Sequence, residues 1–118
     1  MCAGPACRPS ITVTGWGRTR QLAATLPEEL QAVPLPVTTG DACKATYSEP
    51  GDPFSLTGRF CAGPADGSKT ICEGDAGGPA VRDGVVVGIV SGGRGCGLPG
   101  SPAIFSSTAY WGSWLQSQ

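Results

Sequence analysis

An all-β fold, a small antiparallel barrel of about six short strands with one helix at the C-terminus, is what this sequence predicts. Three observations carry it. Nineteen glycines and eleven prolines among 118 residues favour turns over helices. Two separated segments alternate apolar and polar side chains with the period of a half-buried strand. Only the last stretch of the chain changes to helical spacing.

Residues 1–10, rich in Pro and Cys, read as a lead-in segment, and residues 11–118 as one domain. From Ile11 to Gly15 the apolar residues Ile11 and Val13 alternate with Thr12 and Thr14, which predicts the first strand. Trp16 to Arg20 leads into an exposed stretch. Leu30 to Val37 alternates again, and its prolines mark a strand at an edge or bulge. Thr38 to Ala45 predicts a short helix near Cys43, and Ser48 to Gly58, with Pro50, Gly51, Asp52 and Pro53, a surface loop. Phe60 to Gly63 is a short strand, and Gly63 to Gly78 is almost entirely loop. Pro79 to Arg82 and Val85 to Val90 flank Asp83-Gly84, the pair that two-residue hairpin turns prefer. Pro102 to Ser106 is the last strand. Ala109, Trp111, Trp114 and Leu115 then recur at helical spacing, behind Ser106, Ser107 and Thr108 as candidate N-caps. There is no internal repeat.

Charged residues are only 14% of the chain, and the net charge is −1. Such a charge creates no long-range field to draw in nucleic acid or anionic lipid, so neither is an expected partner. The arginines at 8, 18, 20, 59, 82 and 94 are scattered and make no polyanion-binding patch. No apolar run approaches the roughly 20 residues that a membrane-spanning helix needs. Six cysteines in so short a chain favour a disulfide framework and an oxidising, secreted setting. A metal site is the weaker alternative: there is no Cys-x-x-Cys pair and no histidine, and no cofactor is expected. Met1-Cys2-Ala3-Gly4 has neither the basic nor the apolar region of a secretion signal. That points to an internal start or to a piece of a longer protein.

Five motifs follow one another along the chain. They are Thr14-Gly15-Trp16-Gly17, then Phe60-Cys61-Ala62-Gly63, then Cys72-Glu73-Gly74-Asp75-Ala76-Gly77-Gly78-Pro79. Next come Gly88-Ile89-Val90-Ser91-Gly92-Gly93 with Cys96, and Pro102-Ala103-Ile104-Phe105 ahead of Tyr110 and Trp114. Any one of them alone is an ordinary glycine-rich turn beside a strand. In this order they resemble the second β-barrel of trypsin-like serine proteases, over about residues 11–118. The resemblance implies a six-stranded Greek-key barrel, the second barrel of the chymotrypsin-like fold, with its C-terminal helix.

The chemistry of that family needs a nucleophilic oxygen, a base to take its proton, and N–H donors aimed at the developing oxyanion. In the family a Gly-Asp-Ser-Gly-Gly-Pro loop supplies the serine and the donors. Here it reads Gly-Asp-Ala-Gly-Gly-Pro. Ala76 stands at the nucleophile position with a methyl group, while the N–H groups of Gly74 and Ala76 remain to form the oxyanion hole. The family's histidine and its orienting aspartate belong to the first barrel. Asp75 matches the aspartate that, in active members, pairs with a freed N-terminal ammonium and sets this loop. Without that ammonium it needs another partner, because an unpaired buried carboxylate is costly. Two readings stand for the loop from Ser68 to Gly78: a mobile, zymogen-like segment, or an ordinary exposed turn.

By the same register Thr70 falls at the base of the specificity pocket, with Ser91, Gly93 and Ala103 along its walls. A neutral Thr70 offers no counter-charge to Lys or Arg, which implies a preference for small or medium apolar side chains. Gly92 stands where the family often has tryptophan. Cys72 and Cys96 match the pair that braces the pocket, and Cys43 and Cys61 the pair that closes the intermediate loop. Cys2 and Cys7 match no family position and are paired with each other only by default. A further family disulfide is missing, since Ile11 and Arg82 hold its positions.

Three functions follow. One is a protease homologue without activity that binds a protein or peptide. Another is a piece of a secreted serine endopeptidase whose serine has been replaced, and the third a disulfide-stapled structural module. The apolar face of Trp111, Trp114 and Leu115 is expected to be core, or an interface with a separate N-terminal barrel or a second copy.

Overall fold

The computed structural model describes residues 10–19, 25–94, 96 and 98–118; the expected Cys2–Cys7 pair lies outside them. The described residues form six strands: β1 (Ser10–Gly15), β2 (Gln31–Pro36), β3 (Arg59–Ala62), β4 (Pro79–Arg82), β5 (Val85–Gly92) and β6 (Ala103–Ser107). Helix α1 (Gly40–Tyr47) separates β2 from β3, and α2 (Thr108–Gln116) follows β6. All pairings are antiparallel, in the order β2-β1-β4-β5-β6-β3. An isolated bridge between Val37 and Ala62 joins the two ends of that order. It is made by Thr38 N donating to Cys61 O at 2.9 Å and Gly63 N donating to Pro36 O at 2.8 Å. With β3 beside β2 and β4 beside β1, the first four strands take the 4-1-2-3 order of a Greek key.

Alternation decides which side chains enter the barrel. The β1–β2 register sets Ile11 opposite Leu35 and Val13 opposite Val33, and Ile11, Val13 and Leu35 are all buried. They meet Ala62, Ile71, Ala80, Val90, Ala103 and Phe105 in one core. The three alanines hold this narrow interior at close packing while Phe105 fills it. Phe60 stacks on Phe105 across β3 and β6 at 5.1 Å, a cross-strand aromatic pair of the kind that stabilises a register. The β4–β5 turn has Asp83 at φ 51° and Gly84 at φ 77°, the double positive φ of a type I′ hairpin.

The first helix runs two residues later than its expected span of Thr38 to Ala45. Thr38 is held in the barrel closure, and Thr39 becomes the N-cap, its Oγ1 accepting from Ala42 N at 3.2 Å. At the second helix Ser107 is the cap, accepting from Tyr110 N. Of the two expectations for Trp111, Trp114 and Leu115, core or interface, the structure rules out core. None of the side chains of α2 is buried, because the helix lies over the barrel on its first turn and leaves its length in solvent.

Candidate functional site

The loop between β3 and β4 is tied down at both ends. A disulfide joins Cys72 to Cys96, with Cα atoms 5.0 Å apart; another joins Cys43 on α1 to Cys61 on β3. Within the loop, Asp75 N donates to Cys72 O at 3.1 Å and Gly78 N to Asp75 O at 3.1 Å. Gly77 N reaches Val90 O at 2.8 Å, and Val90 N returns to Gly78 O at 2.9 Å. The turn is thereby fastened to β5. Gly74 and Ala76 sit exposed between these anchors, Gly74 at φ 98°, a conformation open chiefly to glycine. Their two N–H groups donate to nothing among the described residues, so both remain available as donors.

Asp75 finds its partners in the backbone. Oδ1 accepts from Gly17 N at 2.8 Å, and Oδ2 accepts from Cys72 N at 2.9 Å. The first of these bonds spans 58 residues of sequence and fastens the end of β1 to the loop. It requires glycine at position 17, where a Cβ would stand 2.5 Å from Asp75 Cγ. Two further interactions reinforce the junction: Arg18 N donates to Glu73 O at 2.7 Å, and Arg18 Nε lies 3.3 Å from Glu73 Oε2.

Thr70 lies on a cavity of about 380 Å³ together with Val13, Gly17, Arg18, Ile71 and Asp75. Ser91, Gly93 and Ala103 are not among the residues lining it. Gly93 and Ala103 are brought together elsewhere: a Cβ on Gly93 would stand 3.6 Å from Ala103 Cα and 3.4 Å from the Tyr47 hydroxyl. Ser91 is exposed at an irregularity of the β5–β6 register, where Val90 faces Phe105 and Gly92 already faces Ile104. Such a bulge re-aims side chains at a strand end. The candidate wall residues therefore share one strand end, while Thr70 sits on the Asp75 side of the loop.

Tyr47 is a participant that the sequence did not single out. Its hydroxyl donates to Pro102 O, and its ring lies under the Arg94 guanidinium, 5.3 Å from ring centroid to Cζ. Glu49 Oε1 in turn holds Arg94 Nη2 at 3.2 Å. Burial pushes the Tyr47 phenol above its usual pKa, and the bond and charge of Arg94 oppose that rise. No sequence motif signals this contact, since Tyr47 and Pro102 are 55 residues apart. Among the described residues no cluster of His, Cys, Asp or Glu is arranged to hold a metal ion.

The loop is thus fastened through Asp75 and the Cys72–Cys96 disulfide, with the N–H groups of Gly74 and Ala76 left as donors on its exposed side. The family profile that matches this chain, over residues 2–115, is Trypsin. The chain belongs to the trypsin family. Serine protease 1 of Rattus norvegicus is 39% identical over 114 residues, covering 94% of this chain and 45% of that protein. Trypsin eta of Drosophila melanogaster is 36% identical, covering 97% and 42%. Among solved structures, neuropsin, a serine protease expressed in the limbic system of mouse brain, superposes with a TM-score of 0.81 at 29% identity, over 92% of this chain and 47% of its own. The chain thus spans less than half the length of the trypsin-family proteins it matches. What it carries is a trypsin-like serine protease domain that, among the described residues, forms one six-stranded barrel with two disulfides.

Proposed function

We propose that this chain is a secreted trypsin-family domain that binds a protein or peptide segment at the loop around Ala76 without cleaving it. The observation that carries the reading is the pairing of an available donor set with a methyl group. Gly74 and Ala76 offer their N–H groups, and residue 76 has no oxygen to attack a carbonyl. The sequence also contains no imidazole to act as base. Loss of a nucleophile or base alone costs on the order of a million-fold in rate, and joint losses are far from additive. A peptide carbonyl can still accept from the two amides, as it would ahead of attack. By the family register a neutral Thr70 at the base of the specificity pocket favours an apolar over a basic side chain, and the two disulfides of the described residues suit a secreted setting.

The test has two parts. Ala76→Ser should hydrolyse an activated ester no faster than buffer and should not react with a serine-directed phosphonate; labelling at residue 76 would refute the inactive reading. Titration of the chain with short peptides, followed by amide NMR, should shift Gly74 and Ala76, more with an apolar than with an arginine side chain. Unmoved amides would refute binding at this loop.

The length relation favours a second reading. Because the matched proteins are more than twice as long, the chain also suits the C-terminal half of a secreted serine endopeptidase whose nucleophile is replaced by alanine. If so, Ala76→Ser should gain hydrolysis only after an N-terminal trypsin-like barrel carrying histidine is supplied.

A further inference from the structure

The chain has two Asp-Gly pairs, Asp66-Gly67 and Asp83-Gly84, and no asparagine. In such a pair the glycine nitrogen can attack the side-chain carboxyl of the aspartate, because no Cβ shields that nitrogen. An N–Cγ bond forms, the amide proton and the carboxyl hydroxyl leave as water, and a five-membered succinimide results. Water then opens the ring. Breaking the new N–Cγ bond restores aspartate. Breaking the original bond to the backbone carbonyl carbon leaves isoaspartate, with the chain running through Cγ. One water leaves and one returns, so the conversion needs no oxidant and no other reactant.

The structure separates the two pairs. At 66–67 both reacting groups are held: Gly67 N donates to Pro64 O at 3.2 Å, and Asp66 Oδ1 accepts from Ser68 N at 2.9 Å. Hydrogen bonding from the Ser68 side chain, and then from its N–H, also keeps the Asp66 carboxyl below its usual pKa. That depletes the protonated acid which the nitrogen attacks. At 83–84 neither group is held in this way. The Asp83 side chain is 93% exposed, with Arg82 Nε standing off at 3.9 Å from Oδ2. The Gly84 N–H donates to nothing among the described residues. A Cβ built on Gly84 would meet nothing within 4 Å, so no neighbour restrains this peptide as it turns into the ring. We propose that the tip of the β4–β5 hairpin is a site of spontaneous modification, where Asp83 converts to isoaspartate through a succinimide with Gly84 while Asp66 persists. The product adds a methylene to a two-residue turn whose length sets the pairing of Arg82 with Val85.

Storage of the folded, oxidised protein for weeks in warm neutral buffer tests this, with the same chain reduced and unfolded in guanidinium chloride as reference. Isoaspartate keeps the mass, blocks cleavage by an aspartate-specific protease and accepts a methyl group from isoaspartyl methyltransferase, so peptide maps read each site. Isoaspartate should accumulate several-fold faster at 83 than at 66 in the folded chain, and at similar rates in the unfolded one. Asp83→Glu should abolish most methyl acceptance by the folded protein. No isoaspartate at 83, or folded conversion at 66 as fast as at 83, overturns the proposal. So does methyl acceptance undiminished in Asp83→Glu, and so does an excess at 83 that persists in the unfolded chain, which would assign the selectivity to local sequence.

Discussion

Two backbone N–H groups converge on the carboxylate of Asp75, one from Gly17 and one from Cys72. Hydrogen bonds to a charged group contribute about 1.5–3 kcal/mol each, and a donor left unpaired away from water costs a comparable amount. Asp75→Ala removes both acceptors, so the folded state should lose about 2–4 kcal/mol in urea denaturation, with faster hydrogen exchange at Gly17 and Gly74 to Gly78. Tyr47 sets a different dependence. Its phenol is pushed up by burial, so the folded chain holds that proton more tightly than the unfolded one. This contribution is fully present below the ordinary tyrosine pKa of about 10 and is lost as the pH rises through the higher folded value. Tyr47→Phe also removes the bond to Pro102 and should cost about 1 kcal/mol at neutral pH. Its deficit against the unaltered protein should narrow above pH ~10, as read by denaturation at both pH values.

Helix α2 docks through its first turn. Ser107 N donates to Gly58 O at 2.8 Å, and Thr108 Oγ1 donates to Val86 O at 2.8 Å. Tyr110 and Trp111, edge-to-face at 4.9 Å, then cover Gly58. A Cβ at position 58 would stand 2.8 Å from Trp111 Nε1 and 2.9 Å from Tyr110 Cδ1. Gly58→Ala should therefore cost about 1–3 kcal/mol and change the near-ultraviolet signal of the aromatic pair. Gly84→Ala, at a similar φ but with nothing within 4 Å, should cost less, which separates crowding from backbone strain in thermal melts. The strands were legible because alternation and turn residues are local. Two residues at the start of α1 were not, because the carbonyl of Cys61, 23 residues further on, takes Thr38 into the closure.

At the scale of the whole molecule, the order of five short motifs was enough to indicate the barrel and its family. Side-chain pattern alone carried neither the Gly17–Asp75 bond nor the seat of Arg94 on Tyr47, since both join residues far apart in sequence and depend on closure. The exposure of Trp111, Trp114 and Leu115 was hidden for the opposite reason. Helical spacing reveals that a face is apolar but not what lies against it. Closure itself is uneven: β2 meets β3 through a single bridge made of two backbone hydrogen bonds, with a third bond from Thr38 Oγ1 to Cys61 O beside them, whereas other neighbours share longer ladders. That line is a zip fastener with three teeth. Warming should unpick it ahead of the rest, and the sulfur link between α1 and β3 should limit how far the two lips part, so that adding a reductant should let this wall gape wider.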